Sequence, residues 1–132
     1  MAEVWKPIEG YNNGYEVSDQ GRVRSVDRWV VYTTGQRRFY RGRILRPLKG
    51  PGGYSTVHLT LKAMNRYIHH LVMHAFKGPT PEGQEILHND GDKTNPRLGN
   101  LRFGTRGENM ADARLHAIMI VVAKHRWIWT ED

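Results

Sequence analysis

The segment spanning residues 85–109, EILHNDGDKTNPRLGNLRFGTRGEN, constrains the fold more than any other part of the chain. Residues 85–88 are a short, half-apolar run, which is typical of a β-strand. The pair Asp90-Gly91 predicts a tight turn, because glycine readily adopts the left-handed backbone that such turns require. Residues 100–103 alternate polar and apolar side chains, which indicates a second strand. The segment therefore predicts a two-stranded hairpin.

A helix is predicted to begin directly after this hairpin. Gly104 ends the second strand, and Thr105 and Glu108 then have the spacing of a capping box, in which a hydroxyl accepts a hydrogen bond from the backbone three residues later. Asn109 therefore lies in the first turn of the helix, folded back toward the first strand. The helix is expected to run to about His116.

Three polar residues at fixed spacing, His88, Asn100 and Asn109, stand within the HNDGDKTN turn and the NLRFGTRGEN segment. In these residues the chain resembles the HNH endonucleases, most nearly the phage- and intron-encoded homing type. The resemblance implies a ββα-metal fold and cleavage of DNA phosphodiester bonds with Mg²⁺, Mn²⁺ or another divalent cation. It also implies that His88 is the general base, Asn100 the middle asparagine of the motif and Asn109 a metal ligand.

The sequence departs from the family pattern at Leu87. That position usually holds a second metal ligand, often Asp or Asn, and leucine cannot coordinate a cation. Asp90 and Asp112 are therefore candidate additional ligands, although Asp90 could equally serve only to shape the turn. Asn100 could fix either the imidazole of His88 or the turn.

A second helix is predicted over residues 67–76, where apolar residues recur at helical spacing. This stretch resembles the helix that precedes HNH motifs and supports the nuclease unit. His69 matches a family position, which implies a residue that supports the catalytic groups without binding the metal. His70 and His74 are four residues apart and could bind a transition metal, or could be two exposed histidines near DNA.

Positive charge is concentrated in one part of the chain. The net charge is +7, and residues 22–66 hold eleven Lys or Arg residues and one acid, Asp27. This asymmetry favours contact with a polyanion over general surface solvation, and double-stranded DNA is the expected partner. The predicted DNA-binding residues are Arg22, Arg24, Arg37, Arg38, Arg41, Arg43, Lys93, Arg97, Arg102 and Arg106.

The N-terminal part is predicted to be β-structured. Residues 3–25 contain VWKPIEGY and YEVSDQGRVRS, which resemble the small modular domain often found ahead of HNH motifs and imply a DNA-binding segment. Residues 26–48 predict a hairpin with a turn at 33–36, in which arginines interleave with aromatic residues. Residues 54–61 predict a half-buried strand whose inward face carries Val57, Leu59 and Leu61.

The sequence as a whole predicts an α+β protein, with an N-terminal antiparallel β arm over residues 1–62 and a ββα-metal nuclease unit over residues 63–132. No apolar run is long enough to span a membrane. The absence of cysteine excludes disulfides and thiolate zinc sites, and a cytoplasmic location is expected, in the host cell if the gene is phage-borne. Monomer and homodimer both remain open.

The function classes also remain open at this point. The leading hypothesis is an HNH endonuclease that nicks duplex DNA, and its rival is a catalytically weak or inactive DNA-binding module that kept the fold. A third option is a structural or packaging accessory that binds protein. The apolar run 117–122 could extend the last helix or form an edge strand. The tryptophans of 124–129 could stack on bases or form a dimer contact, and packing is favoured.

Overall fold

The computed structural model describes residues 2–112 and 114–115. These residues form an α+β structure, which confirms the predicted class. The predictions for residues 116–132, including the apolar run and the tryptophans, lie outside the described part. Among the described residues no helix is both long and apolar enough to cross a membrane.

In the described residues the strands form four small antiparallel sheets, three of which pack against a ten-residue helix. The first sheet has the order β1-β2-β3, the second is the hairpin β4-β5, the third has the order β6-β7-β8, and the fourth is the hairpin β9-β10. The bounds are β1 Trp5–Pro7, β2 Tyr15–Ser18, β3 Val23–Ser25, β4 Arg28–Val31, β5 Arg37–Tyr40, β6 Leu48–Lys49, β7 Ser55–Leu59, β8 Met64–Tyr67, α1 Ile68–Lys77, β9 Gln84–His88 and β10 Leu101–Thr105. A last helix, α2, is described at residues 106–112 and 114–115.

One hydrophobic core joins the N-terminal strands to the C-terminal hairpin. Helix α1 places Ile68, Leu71 and Val72 at its centre, as the helical spacing predicts. The N-terminal part contributes a set of apolar residues from its strands and turns, and the hairpin β9-β10 contributes two more. The remaining members are Ile8, Tyr11, Tyr15, Val17, Val23, Val57, Leu59, Met73, Ile86 and Leu101. The chain therefore buries one shared core across both predicted segments.

The strand predicted over residues 54–61 is shorter than expected. It ends at Leu59, and residues 60–62 form a 3-10 turn closed by Ala63, whose φ of 47° is left-handed. The turn breaks the strand alternation, so Leu61 is half exposed, while Val57 and Leu59 are buried as predicted. The prediction for Leu61 was wrong because the turn contains neither glycine nor proline to announce it.

The predicted helix cap at Thr105 is confirmed. The backbone N–H of Glu108 donates to Oγ1 of Thr105 at 3.2 Å, and Thr105 is also the last residue of β10. The strand therefore runs one residue past Gly104, where the sequence predicted its end. Helix α2 consequently starts directly from the hairpin, with no linker that could let its first turn drift away from β9.

The N-terminal segment is in close contact with the turn that follows β9. Gly21 has a left-handed φ of +80°, and a Cβ at this position would lie 2.7 Å from Cγ of Pro96. Next to this contact, the backbone N–H of Leu98 donates to the carbonyl oxygen of Asp19 at 2.9 Å. Only glycine fits both the backbone conformation and the approach of the proline ring. The turn after β9 is thus fastened to the N-terminal sheet.

Candidate active site

The hairpin β9-β10 sorts the motif residues onto two faces. His88 pairs with Leu101, Leu87 with Arg102 and Glu85 with Gly104. Because successive side chains in a strand point to opposite faces, Ile86 and His88 lie on one face, and Glu85 and Leu87 lie on the other.

His88 is almost fully buried, with 8% of its surface exposed. Its Nε2 atom is buried and has no hydrogen-bond partner among the described residues. Burial lowers the pKa of the imidazole, the nearby carboxylates of Asp90 and Asp92 raise it, and Lys93 lowers it, with a net lowering. The ring is therefore uncharged at neutral pH, and a ring nitrogen is free to accept a proton.

Two other rings enclose His88. The centroid of the His88 ring lies 5.0 Å from that of His69 and 5.6 Å from that of Tyr54. His69 is itself 5% exposed, and burial, followed by the neighbouring His70 and His88, lowers its pKa to about 3. The structure thus places His69 against His88 as an uncharged ring, which fits the supporting position that the family resemblance implies.

Asn100 holds the turn and does not hold the imidazole. Its Nδ2 donates to Oδ1 of Asp90 at 2.8 Å and to the carbonyl of Asn95 at 3.0 Å, and its Oδ1 accepts from the backbone N–H of Asp90 at 3.0 Å. The structure shows no hydrogen bond from this side chain to His88. Of the two roles that the sequence left open, the geometry supports fixing the turn that follows the imidazole.

The two candidate aspartates are both engaged by neighbouring groups. Asp90 accepts hydrogen bonds from the backbone of Asp92 and from the side chains of Asn95 and Asn100, each at 2.8 Å. Asp112 accepts from Nη2 of Arg102 at 2.5 Å. These contacts support the turn-shaping role for Asp90 and an ion pair with Arg102 for Asp112, and the assignment of either carboxylate as a metal ligand stays a prediction.

Asn109 lies in the first turn of α2, as predicted, and faces back onto β9. Its Nδ2 donates to Oε1 of Glu85 at 2.6 Å. Both side chains line a cleft of about 180 Å³. The full lining is Tyr54, Tyr67, His69, His70, Glu85, Ile86 and Asn109. His69 lines this cleft and also packs against the ring of His88, so it connects the imidazole to the cleft that holds the amide.

Glu85 is the residue of this site that the sequence predictions missed. The signal that could have found it was strand alternation, because Glu85 is two residues before Leu87 and therefore shares its face. Leu87 is 1% exposed and packs over Gly104, where a Cβ would lie 2.5 Å from its Cδ1. Position 87 is therefore an interior packing position in this chain.

The described residues form no complete metal site from His, Cys, Asp and Glu side chains alone. Across residues 2–112 and 114–115, no group of three His, Cys, Asp or Glu side chains is placed to hold an ion. The predicted pair His70 and His74 stacks at 5.9 Å, and His74 is bonded to Thr80. His74 is exposed, as one of the two interpretations expected, whereas His70 is half-buried and lines the cleft beside Asn109.

The predicted DNA-binding residues fall into two groups. Arg22 pairs with Glu3, Arg24 with Glu16 and Arg102 with Asp112, so these three charges are already partly compensated. The pairing also lowers the pKa of Glu3 to about 2, chiefly through its hydrogen bond with Arg22. Lys93 donates to the carbonyl of Gly52 at 2.9 Å. The other predicted residues are exposed: Arg37, Arg38, Arg41, Arg43, Arg97 and Arg106.

The hairpin β4-β5 confirms the predicted interleaving of arginine and aromatic residues. Trp29 pairs with Phe39 across the strands, with ring centroids 5.3 Å apart, and the guanidinium of Arg37 lies 5.1 Å from the Trp29 ring. Trp29, Val31 and Phe39 are 60%, 67% and 46% exposed. The ribbon therefore presents an apolar and basic surface to solvent.

Two family descriptions match successive parts of the chain. The NUMOD4 motif matches residues 3–60, and the HNH endonuclease description matches residues 66–111. The second match contains His69, His88, Asn100 and Asn109. The first contains the N-terminal sheet and the ribbon β4-β5.

Two curated relatives of this chain are described as endonucleases. The chain is 33% identical over 119 residues to an uncharacterized HNH endonuclease of Acanthamoeba polyphaga mimivirus, covering 85% of this chain and 26% of the relative. It is 31% identical over 108 residues to the DNA endonuclease I-HmuI of Bacillus phage SP01, covering 80% of this chain and 55% of the relative. The chain thus spans about a quarter and about half of the lengths of these relatives.

The structural comparison extends over most of the chain. A structure described as DNA binding and cleavage by the HNH homing endonuclease I-HmuI matches with a TM-score of 0.65 and 28% sequence identity. The match covers 93% of this chain and 67% of that chain. The shared fold therefore includes both the N-terminal strands and the hairpin-helix unit.

Proposed function

Because this chain carries a NUMOD4 motif followed by a domain of the HNH endonuclease family, we propose that it is a metal-dependent endonuclease that hydrolyses phosphodiester bonds of duplex DNA. The observation that carries the proposal is the environment of His88. The imidazole is buried, its pKa is lowered, and its Nε2 has no partner among the described residues. A structural histidine would instead be expected to have its buried nitrogens hydrogen-bonded.

His88 acts as the general base in this proposal. An uncharged imidazole takes a proton from the water that attacks the phosphorus, and so increases the nucleophilicity of that water. His69 and Tyr54 hold the ring by packing, and Asn100 fixes the turn that follows it. The proton acceptor is therefore positioned before DNA arrives, which reduces the cost of orienting it during the reaction.

The cleft beside Asn109 has the ligand chemistry that Mg²⁺ or Mn²⁺ prefers. An amide and a carboxylate supply hard oxygen atoms, and water and phosphate oxygens complete such a shell. A bound divalent cation would stabilise negative charge on the phosphate and on the leaving oxygen. Asn109 is the proposed ligand on α2, and its location in the first helical turn fixes its distance from β9.

DNA contact is proposed for the exposed basic residues, above all those of the ribbon β4-β5. A two-stranded ribbon has the dimensions to lie in a groove of duplex DNA, and most arginine contacts of such proteins are to phosphates. A single site of this type cuts one strand, so the proposed product of a monomer is a nick. The homing endonuclease I-HmuI, whose fold matches, binds and cleaves DNA, which supports DNA as the substrate class here.

A supercoiled-plasmid assay with Mg²⁺ or Mn²⁺ tests the proposal. The wild-type chain should convert supercoiled to relaxed plasmid, while His88→Ala should not. His74→Ala is the matched control, because it removes an exposed imidazole that is bonded to Thr80. Absence of relaxation by the wild type, or equal relaxation by His88→Ala, contradicts the proposal.

One observation favours a second candidate, a DNA-binding module without nuclease activity. Leu87 occupies the usual position of a metal ligand and is buried against Gly104. The second candidate predicts DNA affinity that is independent of divalent cations, and no cleavage product. A gel-shift titration with and without Mg²⁺, run beside the plasmid assay, separates the two.

A further inference from the structure

We propose that Glu85 supplies the carboxylate ligand of the divalent cation, together with Asn109, and so replaces the ligand that Leu87 cannot provide. The inference rests on the proposed function for its choice of cation. It goes beyond that function because it assigns a ligand that the HNH motif residues of this chain do not identify.

The first step is the face of the strand. Glu85 and Leu87 alternate with Ile86 on β9, so they share the face that is opposite to His88. Leu87 is 1% exposed and fills the space over Gly104. Glu85 is half-buried and lines the cleft. On this face, the residue that reaches the cleft is therefore the glutamate two positions earlier.

The second step is the contact with Asn109. Oε1 of Glu85 and Nδ2 of Asn109 are 2.6 Å apart. Neighbouring oxygens around Mg²⁺ lie about 3 Å apart, because the metal–oxygen distance is about 2.1 Å and the geometry is octahedral. Rotation of the amide by half a turn would present its oxygen beside the carboxylate at nearly this separation. The two side chains are thus already placed as adjacent ligands.

The third step is a comparison of the carboxylates around the motif. Asp112 is paired with Arg102, and Asp90 accepts three hydrogen bonds within its turn. Glu85 forms no salt bridge with a basic side chain in the described part of the chain. Its hydrogen-bond partner is Asn109, which is the expected metal ligand. Of the three carboxylates, Glu85 alone is paired with a residue that a cation would also engage.

The fourth step is the surroundings of the pair. The side chains of Glu85 and Asn109 share the cleft with the rings of His69 and Tyr54, and the centroid of the His69 ring lies 5.0 Å from that of His88. A cation held by Glu85 and Asn109 would therefore lie in a cleft whose wall, the His69 ring, also packs against the proposed base.

Direct measurement of Mn²⁺ binding tests the inference without relying on cleavage. Mn²⁺ binding followed by electron paramagnetic resonance should show one site in the wild-type chain. We expect Glu85→Gln to weaken Mn²⁺ binding at least tenfold, because it removes the charge but keeps an oxygen that can accept the hydrogen bond from Asn109. Glu82→Gln is the matched control, since Glu82 is exposed in the loop before β9. It should bind Mn²⁺ as the wild type does.

Further variants distinguish the loss of a metal ligand from the loss of the fold. Glu85→Asp should recover part of the lost affinity, because it restores the carboxylate. Asn109→Ala combined with Glu85→Gln should cost less than the sum of the single losses, since both act on one ion. Melting temperatures within a few degrees of the wild type establish that the variants are folded. Unchanged Mn²⁺ affinity in Glu85→Gln, or no Mn²⁺ site in the wild type, overturns the inference.

The plasmid assay separates this failure from failure of the proposed function. Cation-dependent cleavage that requires His88 but persists in Glu85→Gln, with unchanged Mn²⁺ affinity, overturns the ligand assignment and leaves the nuclease intact. A Glu85-dependent Mn²⁺ site in a chain that cuts no DNA supports the assignment and contradicts the proposed nuclease.

Discussion

Two of the described sheets are two-stranded antiparallel hairpins, β4-β5 and β9-β10. Their secondary structure is the same, but one is exposed to solvent and the other is largely buried. In β9-β10, three successive residues, Ile86, Leu87 and His88, are buried. In β4-β5, every residue is exposed or half-exposed, and Trp29 and Val31 are more than half exposed. The buried hairpin is held by the core, which fixes an imidazole. The exposed hairpin is held by its own cross-strand pairs, which leaves its surface open to solvent.

Because the strands of both hairpins are paired, it is burial, and not strand pairing, that distinguishes the hairpin that holds the proposed base. A general base must be oriented to within a fraction of an ångström, which requires packing from several directions. A phosphate-contacting surface must instead remain in water, where its arginines can exchange counterions for DNA. In the proposed nuclease, β9-β10 meets the first requirement and β4-β5 meets the second.

The largest expected effect comes from removing the base of the buried hairpin. His88→Ala should lower the rate of plasmid nicking by about 10²–10⁴-fold, which is the usual contribution of a general base. Affinity for DNA should change little, because the ribbon β4-β5 is untouched. Nicking rates and gel-shift affinities measured together check this, and a large drop in affinity would show that the two hairpins are not independent.

The next effect concerns packing. Leu87→Ala should lower the free energy of unfolding by about 2–5 kcal/mol, because it leaves a cavity over Gly104. Val31→Ala, the matched change in the exposed hairpin, should cost less than about 0.5 kcal/mol. Urea denaturation of both variants measures the contrast. Equal losses of stability would mean that the ribbon is packed against a partner in solution.

Acid should lower the stability of the core that holds the buried hairpin, through His69 of helix α1. The pKa of His69 is about 3 in the folded state and about 6.5 in an unfolded chain, so the unfolded state binds the proton more readily. Above pH 6.5 this group does not lower the free energy of unfolding. As the pH drops from 6.5 toward 3 the free energy of unfolding falls, by at most about 3 kcal/mol at pH 4.

Unfolding free energies measured from pH 7 to pH 4 check this expectation. His69→Gln should reduce the pH dependence, because it removes one of the buried histidines whose pKa is lowered, while His88 remains. An equally steep slope in His69→Gln would assign the acid sensitivity to other residues. The ribbon contains no histidine between residues 26 and 48, so it contributes none of this slope.

The smallest expected effect compares exposed and paired arginines. Arg37→Ala with Arg38→Ala should weaken DNA binding and reduce the salt slope by about 1.8, since each phosphate neutralised by the protein adds about 0.9 to that slope. Arg22→Ala with Arg24→Ala removes the same charge, but both arginines are paired with glutamates, so the reduction should be smaller. Fluorescence anisotropy at several salt concentrations measures both, and equal slopes would contradict the distinction.

Local sequence rules predicted the framework of the site correctly. Turn chemistry at Asp90-Gly91, strand alternation before Gly104 and the cap at Thr105 all depend on neighbours within a few residues. Such interactions are visible in one sequence because the residues that make them are close together along the chain.

The parts that the sequence did not predict depend on distant partners. Glu85 bonds with Asn109, which is 24 residues away, and Arg22 pairs with Glu3, which is 19 residues away. Neither spacing belongs to a helix or a tight turn. Strand alternation places Glu85 on the face of Leu87, but no local pattern predicts that its partner is Asn109. The same holds for the burial of Leu87, which follows from its packing over Gly104.

The contact of Gly21 with Pro96 fixes the distance between the N-terminal sheet and the turn after β9. The N-terminal sheet and the turn behind the imidazole are fastened together, so in the proposed nuclease the place where the N-terminal segment contacts the duplex would determine which phosphate reaches His88. A side chain at position 21 would force the two apart, and the cut made by the proposed nuclease would then vary in position along the strand.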